Sequence, residues 1–142
     1  MHARDLVIIH DVTSSQGPYI AKTTKRCEEI CLCLRRCGKL QPGIGFRVAL
    51  IAFRDHPPMD NTFVTEDFGG FTYELEDVQR NLRKLTAAGG GDIPEAVTAA
   101  LHRAFHLDWR TEATKIVILI TDAPPHGIGD PNDKIPGGDP NG

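Results

Sequence analysis

The sequence predicts an α/β fold in which helices cover both faces of an open, mostly parallel sheet. Two observations carry that prediction. Short apolar runs rich in β-branched residues (6–9, 46–53 and 115–121, the last reading KIVILIT) alternate with longer amphipathic stretches. Alternation of this kind implies parallel strands joined by helical crossovers. The runs are also apolar almost throughout, as in strands buried on both faces.

Residues 6–9 make the first strand, which gives way to the polar stretch His10-Asp11-Val12-Thr13-Ser14-Ser15. Gly17-Pro18 opens a helix, since proline is tolerated in a first turn. It is expected to run to about Cys37 and stop at Gly38, a residue suited to the C′ position. Residues 46–53 (FRVALIAF) are the second strand and 62–65 a weaker one at an edge. Residues 73–85 read as an amphipathic helix with Leu75, Val78, Leu82 and Leu85 on one stripe. A third helix follows Gly89-Gly90-Gly91 over 93–106, and 115–121 is the clearest buried strand. There is no internal repeat. From Pro124 onward glycine, proline, aspartate and asparagine dominate. Residues 1–125 are therefore expected to form the α/β domain, and 126–142 a loop or disordered tail that cannot build a core.

A chain of 142 residues fits one domain. With 40% hydrophobic and 25% charged residues, collagen-like and fully disordered classes are excluded. A net charge of −3 leaves no basic surplus for a nucleic-acid partner. No apolar run approaches the roughly 20 residues of a membrane helix, so no membrane partner is expected. The opening MHARDLVII lacks the shape of a signal peptide, and the cytoplasm is the expected location. Four cysteines (Cys27, Cys31, Cys33 and Cys37) fall within one helical stretch. At 100° per residue Cys27 and Cys31 share the face of Ile20, Ile30 and Leu34, Cys37 lies at its edge and Cys33 further round. Thiols fanned around one helix cannot converge on zinc. Buried or half-buried free thiols in a reducing compartment are the expectation.

Ligands of open α/β sheets collect beyond the carboxyl ends of the strands. Three polar clusters fall at such places: Asp11-Val12-Thr13-Ser14-Ser15, Gly89-Gly90-Gly91-Asp92, and Thr121-Asp122. Alternate residues Asp11, Thr13 and Ser15 all offer oxygen and can be aimed at one point by a tight turn. Carboxylates meeting in one crevice repel and raise one another's pKa, and a divalent cation removes that conflict. Oxygen donors without sulfur suit a hard ion, Mg2+, Mn2+ or Ca2+. Asp11, Thr13, Ser15, Asp92 and Asp122 are accordingly expected to form one cation site, some of them acting through water.

Those residues resemble the metal-ion-dependent adhesion site of the von Willebrand factor type A (vWA) family. Its signature is DxSxS after the first strand, a threonine in a later loop, and an aspartate after the fourth strand. Asp11, Thr13 and Ser15 match the first part, with threonine as the variant of the first serine, and Asp122 in ITDAPPHG matches the last. Asp92 in GGGDIPEA stands where the threonine usually stands, giving three carboxylates in place of two. The strings FRDHPP, GGGDIPEA, LDWR and TDAPPHG look like the subgroup found beside alpha-kinase domains, and the resemblance runs over residues 5–142. It implies a Rossmann-like fold with strand order 3-2-1-4 and a protein ligand that reaches the metal through an acidic side chain. It also implies further strands that this sequence lacks, so that 115–121 becomes an exposed edge expected to promote self-association.

Each site residue also has a plainer role. Asp92 with Glu95 reads as a D-x-x-E capping box, Ser15 as a helix cap, Thr13 as a turn residue, and Asp11 and Asp122 as structural groups. His10, His56 and His126 lack ligand spacing for zinc, and Asp130, Asp133 and Asp139 fail the calcium-loop pattern. A non-catalytic, metal-dependent protein-interaction module is the leading function. The alternatives are a metal-assisted phosphoryl-transfer enzyme, though Thr13 stands where a DxD phosphatase needs aspartate, and a regulatory piece of an alpha-kinase-type protein. The glycines at 89–91 fit neither a dinucleotide-binding fingerprint nor a P-loop.

Overall fold

A computed structural model describes residues 3–36, 45–138 and 140. The chain order is β1 (Arg4–Asp11), a single 3-10 turn (Ser14–Gln16), α1 (Ile20–Arg36), β2 (Phe46–Phe53), β3 (Thr65–Asp67), α2 (Leu75–Arg83), α3 (Val97–Phe105) and β4 (Thr114–Ile120). The sheet runs β3-β2-β1-β4. β1 lies at its centre, parallel to both β2 and β4, while β3 pairs antiparallel with β2. The expected strand order and the helix-covered, mostly parallel sheet are both present. The expected helix end at Cys37 and Gly38 lies outside the described residues.

Strand alternation divides the core in two. Leu6, Ile8, Val48 and Leu50 face Cys27 and Cys31 of α1 and Leu75, Val78 and Leu82 of α2. Val7, Ile9, Ala49, Ile51 and Phe53 face Val97, Ala100 and Ala104 of α3. Burial on both sides is why β1 and β2 carry apolar residues almost without interruption. Burial pushes the Cys27 thiol up to about 11 and Cys31 to about 12, with Glu28 adding to both. Cys33 is exposed. Ile30, expected on the buried face, is instead half exposed.

Several element ends differ from expectation: β1 extends over Arg4–Asp11, α1 begins at Ile20 rather than at Gly17-Pro18, and three further differences have a local cause. β3 begins at Thr65 rather than 62, because the Thr62 amide and hydroxyl both donate to Asp60 Oδ1 (2.8 and 2.5 Å) and hold that stretch in a turn. α2 is trimmed to Leu75–Arg83, with Glu74 before it donating its amide to Thr72 Oγ1 (3.0 Å). α3 begins at Val97 rather than 93. Pro94 disfavours helix at the residue before it. The next two amides serve neighbouring loops, Glu95 N donating to Pro124 O (3.0 Å) and Ala96 N to Arg54 O (3.1 Å). The D-x-x-E capping box therefore does not form, and the cap residue is Ala96.

At the foot of the sheet the Asp5 carboxylate is fully buried between two guanidiniums. Arg47 donates through Nε and Nη2 (3.0 and 2.7 Å), and Arg110 through its backbone N, Nε and Nη2 (2.8, 2.9 and 2.6 Å). β4 forms the edge beside β1. Its Ile116, Ile118 and Ile120 pack on the α1–α2 side, whereas Val117 and Leu119 on the other face are 50% and 40% exposed. No helix among the described residues is long and apolar enough to cross a membrane.

Candidate metal centre

The carboxyl ends of β1 and β4 meet in an open cleft of ≈ 290 Å³, whose lining includes Thr13, Ser15, Gly90, Asp92, Glu95 and Asp122. Asp11 ends β1 with its side chain buried. Its Oδ1 accepts from the Thr13 amide (2.9 Å) and hydroxyl (2.6 Å), which curls the chain sharply after the strand. Gln16 N donates to Thr13 O (3.0 Å) and completes the turn, bringing Ser15 Oγ to 3.3 Å from Thr13 Oγ1. From β4, Thr121 Oγ1 donates to Asp11 Oδ2 (2.9 Å), so the next residue overhangs the turn. Ser15 Oγ donates to Asp122 Oδ1 (3.1 Å).

Asp11, Thr13, Ser15 and Asp122 thus present a chain of oxygens with successive separations of 2.6, 3.3 and 3.1 Å. Neighbouring ligands of an octahedral ion at 2.0–2.1 Å stand about 2.9 Å apart, so this donor set fits a small hard cation. Asp11 and Thr13 are buried, whereas Ser15 and Asp122 are exposed. One side of the set therefore faces solvent, where water or an incoming ligand oxygen can complete a coordination shell.

The facing wall is the glycine loop. Ala88 N donates to Val12 O (2.9 Å) and Ser14 N to Gly89 O (3.1 Å), locking the loop to the Asp11 turn. Gly89 and Gly90 have φ of +76° and +80°, which side chains rarely adopt. A Cβ on Gly89 would lie 1.6 Å from Asp60 Oδ2, and one on Gly90 would lie 2.8 Å from Glu95 Oε1. Glu95 is buried and hydrogen-bonded to Thr13. Burial first, then the charges of Asp55, Asp11 and Asp92, push its pKa up to about 9. The sequence reading had Glu95 only as a capping partner. The proline just before it was the signal that its carboxyl lies in a loop.

Asp92 lines the same cleft, but its carboxylate groups with Asp55 and His126, one ligand atom from each lying within 4.8 Å of the others. Asp92 Oδ2 accepts from Lys134 N (2.9 Å). Asp55 is fully buried, and its Oδ1 accepts from His56 N and His126 Nε2 (both 2.7 Å). Burial above all, with the Asp92 carboxylate beside it, raises its pKa. His126 Nδ1 donates to Asp133 Oδ1 (2.7 Å). Burial alone would lower the His126 pKa, but the bonds to Asp133 and Asp55 outweigh it and raise it. Residues 126–138 contain no helix or strand yet fold back on the glycine loop, with Lys134 Nζ donating to Gly91 O (2.8 Å). His10 stands apart from His126, its Nε2 bonded to Thr23 Oγ1 (2.9 Å) and its Nδ1 to Asp11 O (2.6 Å). Desolvation pushes its pKa down.

A family model described as von Willebrand factor type A domain matches residues 6–125. Alpha-protein kinase vwkA of Dictyostelium discoideum is 33% identical over 141 residues, covering 97% of this chain and 21% of that protein. Putative ariadne-like RING finger protein R811 of Acanthamoeba polyphaga mimivirus is 27% identical over 131 residues, covering 92% and 12%. The chain thus spans about a fifth of the first relative and about an eighth of the second. Among solved structures, the vWF domain of the type V pili tip protein Mfa5 from Porphyromonas gingivalis has a TM-score of 0.60 at 20% identity, covering 91% of this chain and 42% of that one. Proximal thread matrix protein 1 from the mussel byssus, described with a zinc-occupied MIDAS motif, has a TM-score of 0.59 at 21% identity, covering 85% and 29%. At these identities the structural likeness concerns the fold.

Proposed function

The chain belongs to the von Willebrand factor type A family, and we propose that it is a divalent-cation-dependent protein-interaction module without catalysis of its own. Asp11, Thr13, Ser15 and Asp122 hold the ion, and Asp92 and Glu95 close the opposite wall of the cleft. Mg2+ is the physiological ion, with Mn2+ and Ca2+ as substitutes, because the donors are hard oxygens. An acidic side chain of the partner completes the shell from the solvent side. The observation that carries this reading is the oxygen chain of Asp11, Thr13, Ser15 and Asp122, spaced as octahedral neighbours and exposed at one end. The module works in the reducing cytoplasm, in keeping with its free thiols at Cys27, Cys31 and Cys33.

Isothermal titration with the three cations tests this reading. Saturable binding of Mg2+ or Mn2+, reversed by a chelator and without turnover of a chromogenic phosphate, is the expected result. No binding of any of the three, or magnesium-dependent phosphate release, overturns it. A second contact is the edge of β4, whose backbone groups pair with a strand from another copy. Sedimentation should then show mass rising with concentration, and a monodisperse monomer at all concentrations refutes it.

The relative named as an alpha-protein kinase supports a second reading, in which this domain recruits partners beside a kinase in a longer protein.

A further inference from the structure

We propose a second cation site, specific for zinc, formed by Asp55, Asp92 and His126 behind the cleft. One oxygen of each carboxylate and one ring nitrogen lie within 4.8 Å of one another. Donors on one tetrahedral zinc at about 2.0–2.2 Å stand about 3.3–3.6 Å apart, so the three close on an ion by each moving up to about an ångström. The residues come from the end of β2, the glycine loop and the loop after β4, so they converge only in the folded chain.

The decisive observation is independent of that clustering. Asp55 is 0% exposed, yet no N–H or hydroxyl among the described residues reaches its Oδ2 or the buried Oδ1 of Asp92, and the two carboxyls lie within hydrogen-bond reach of each other, so a shared proton or a cation must join them. Buried carboxylate oxygens are normally satisfied, and leaving one bare is costly, the more so when it is charged. A cation between Asp55 and Asp92 supplies what both lack. His126 adds what the oxygen chain at Asp11 does not have, an imidazole nitrogen. Asp133 accepts a hydrogen bond from His126 Nδ1, which leaves Nε2 facing Asp55, and zinc binding at Nε2 releases to solvent the proton now donated to Asp55. A carboxylate behind a ligating histidine is the usual support for zinc. One imidazole with two carboxylates and a water selects zinc over Mg2+ or Ca2+.

Zinc titration of the 142-residue chain, with the bound metal counted after gel filtration, separates this site from the one at Asp11. The wild type should retain a tight zinc equivalent that survives D11A. H126A should weaken that equivalent by at least about 100-fold and D133N by about 10–100-fold, while the Mg2+ titration of both variants stays as in the wild type. Failure of the first site alone would show as lost Mg2+ binding with the tight zinc retained. If H126A does not fold by circular dichroism, zinc X-ray absorption of D11A loaded with one equivalent decides, with one imidazole in the shell as the expected result. An oxygen-only shell, or zinc binding unchanged in H126A and D133N, overturns the proposal and leaves His126 as a hydrogen-bonded strap for the loop.

Discussion

Replacing Asp11 by alanine should abolish measurable Mg2+ binding and leave the helical circular-dichroism signal intact. Asp11 is the buried anchor of the oxygen chain. Its Oδ1 orients the Thr13 hydroxyl and its Oδ2 holds Thr121, which in turn sets the position of Asp122. Losing a ligand that also aligns two others should exceed the 10–100-fold typical of supporting groups alone. The fold survives because the change strips acceptors from one amide and two hydroxyls, a cost of about 1–3 kcal/mol for each group left dry. Thr13 lines an open cleft that water can enter. Removing this carboxylate also relieves Glu95 of one of the charges that raise its pKa. Titration and far-UV spectra of the same sample check the result. Undiminished Mg2+ binding in D11A would remove Asp11 from the site.

At the other end of the sheet, Asp5→Ala should destabilise the domain by about 3–5 kcal/mol, because two guanidiniums lose the buried charge that compensates them. For a domain of this size that corresponds to a fall in Tm of roughly 10–20 °C. The cation titrations of whatever fraction remains folded should not change. The pH dependence identifies the cause. Burial alone would raise the Asp5 pKa, but the bonds from Arg47 and Arg110 outweigh it and bring the carboxyl from 3.8 down to about 2. A depressed folded-state pKa means stability that is fully present above the unfolded value and drains away as pH falls toward the folded one. The gap between wild type and D5A should therefore be constant from neutrality to about pH 4.5 and narrow between about pH 4 and 2. A Tm shift below about 3 °C, or a gap independent of pH down to 2, would show that the ion pairs contribute little.

How much could be read from the chain followed the range of the forces involved. β2 was legible residue for residue, because burial on both faces leaves an apolar run bounded by polar and turn-forming residues. The Leu75, Val78 and Leu82 stripe of α2 was legible for the same local reason. The polar turn after β1 was half legible. Asp11, Thr13 and Ser15 sit within five residues, and Asp122 ends the strand whose apolar run announces it. Its place in the glycine loop marked Asp92 as a ligand, and the D-x-x-E spacing marked Glu95 as its capping partner; in the structure Asp92 groups with Asp55 and Glu95 bonds to Thr13. Helix spacing rules fail there because Pro94 and the bonds to Pro124 and Arg54 keep the segment out of α3. The meeting of Asp55 with His126 joins two loops 71 residues apart, neither of which has a periodic pattern. No local signal encodes it.

The central position of β1 sets the order in which the molecule can assemble. Its partners on β2 lie about 42 residues away, while those near β4 lie about 110 away, as the Asp5–Arg47 and Asp11–Thr121 bonds mark. Pairings this remote slow folding, since loop-closure entropy is lost before the contact rewards it. At 5–20 residues per second, roughly 60 residues separate the end of β2 from the start of β4 on an emerging chain, a wait of about 3–12 s. Throughout that interval one flank of β1, whose Leu6, Val7, Ile8 and Ile9 are fully buried in the finished fold, is open, and a chaperone or a neighbouring nascent chain competes for it. Ser15 and Asp122, 107 residues apart, meet only when β4 docks. On the proposed reading, the cation is held only once β4 has docked beside β1.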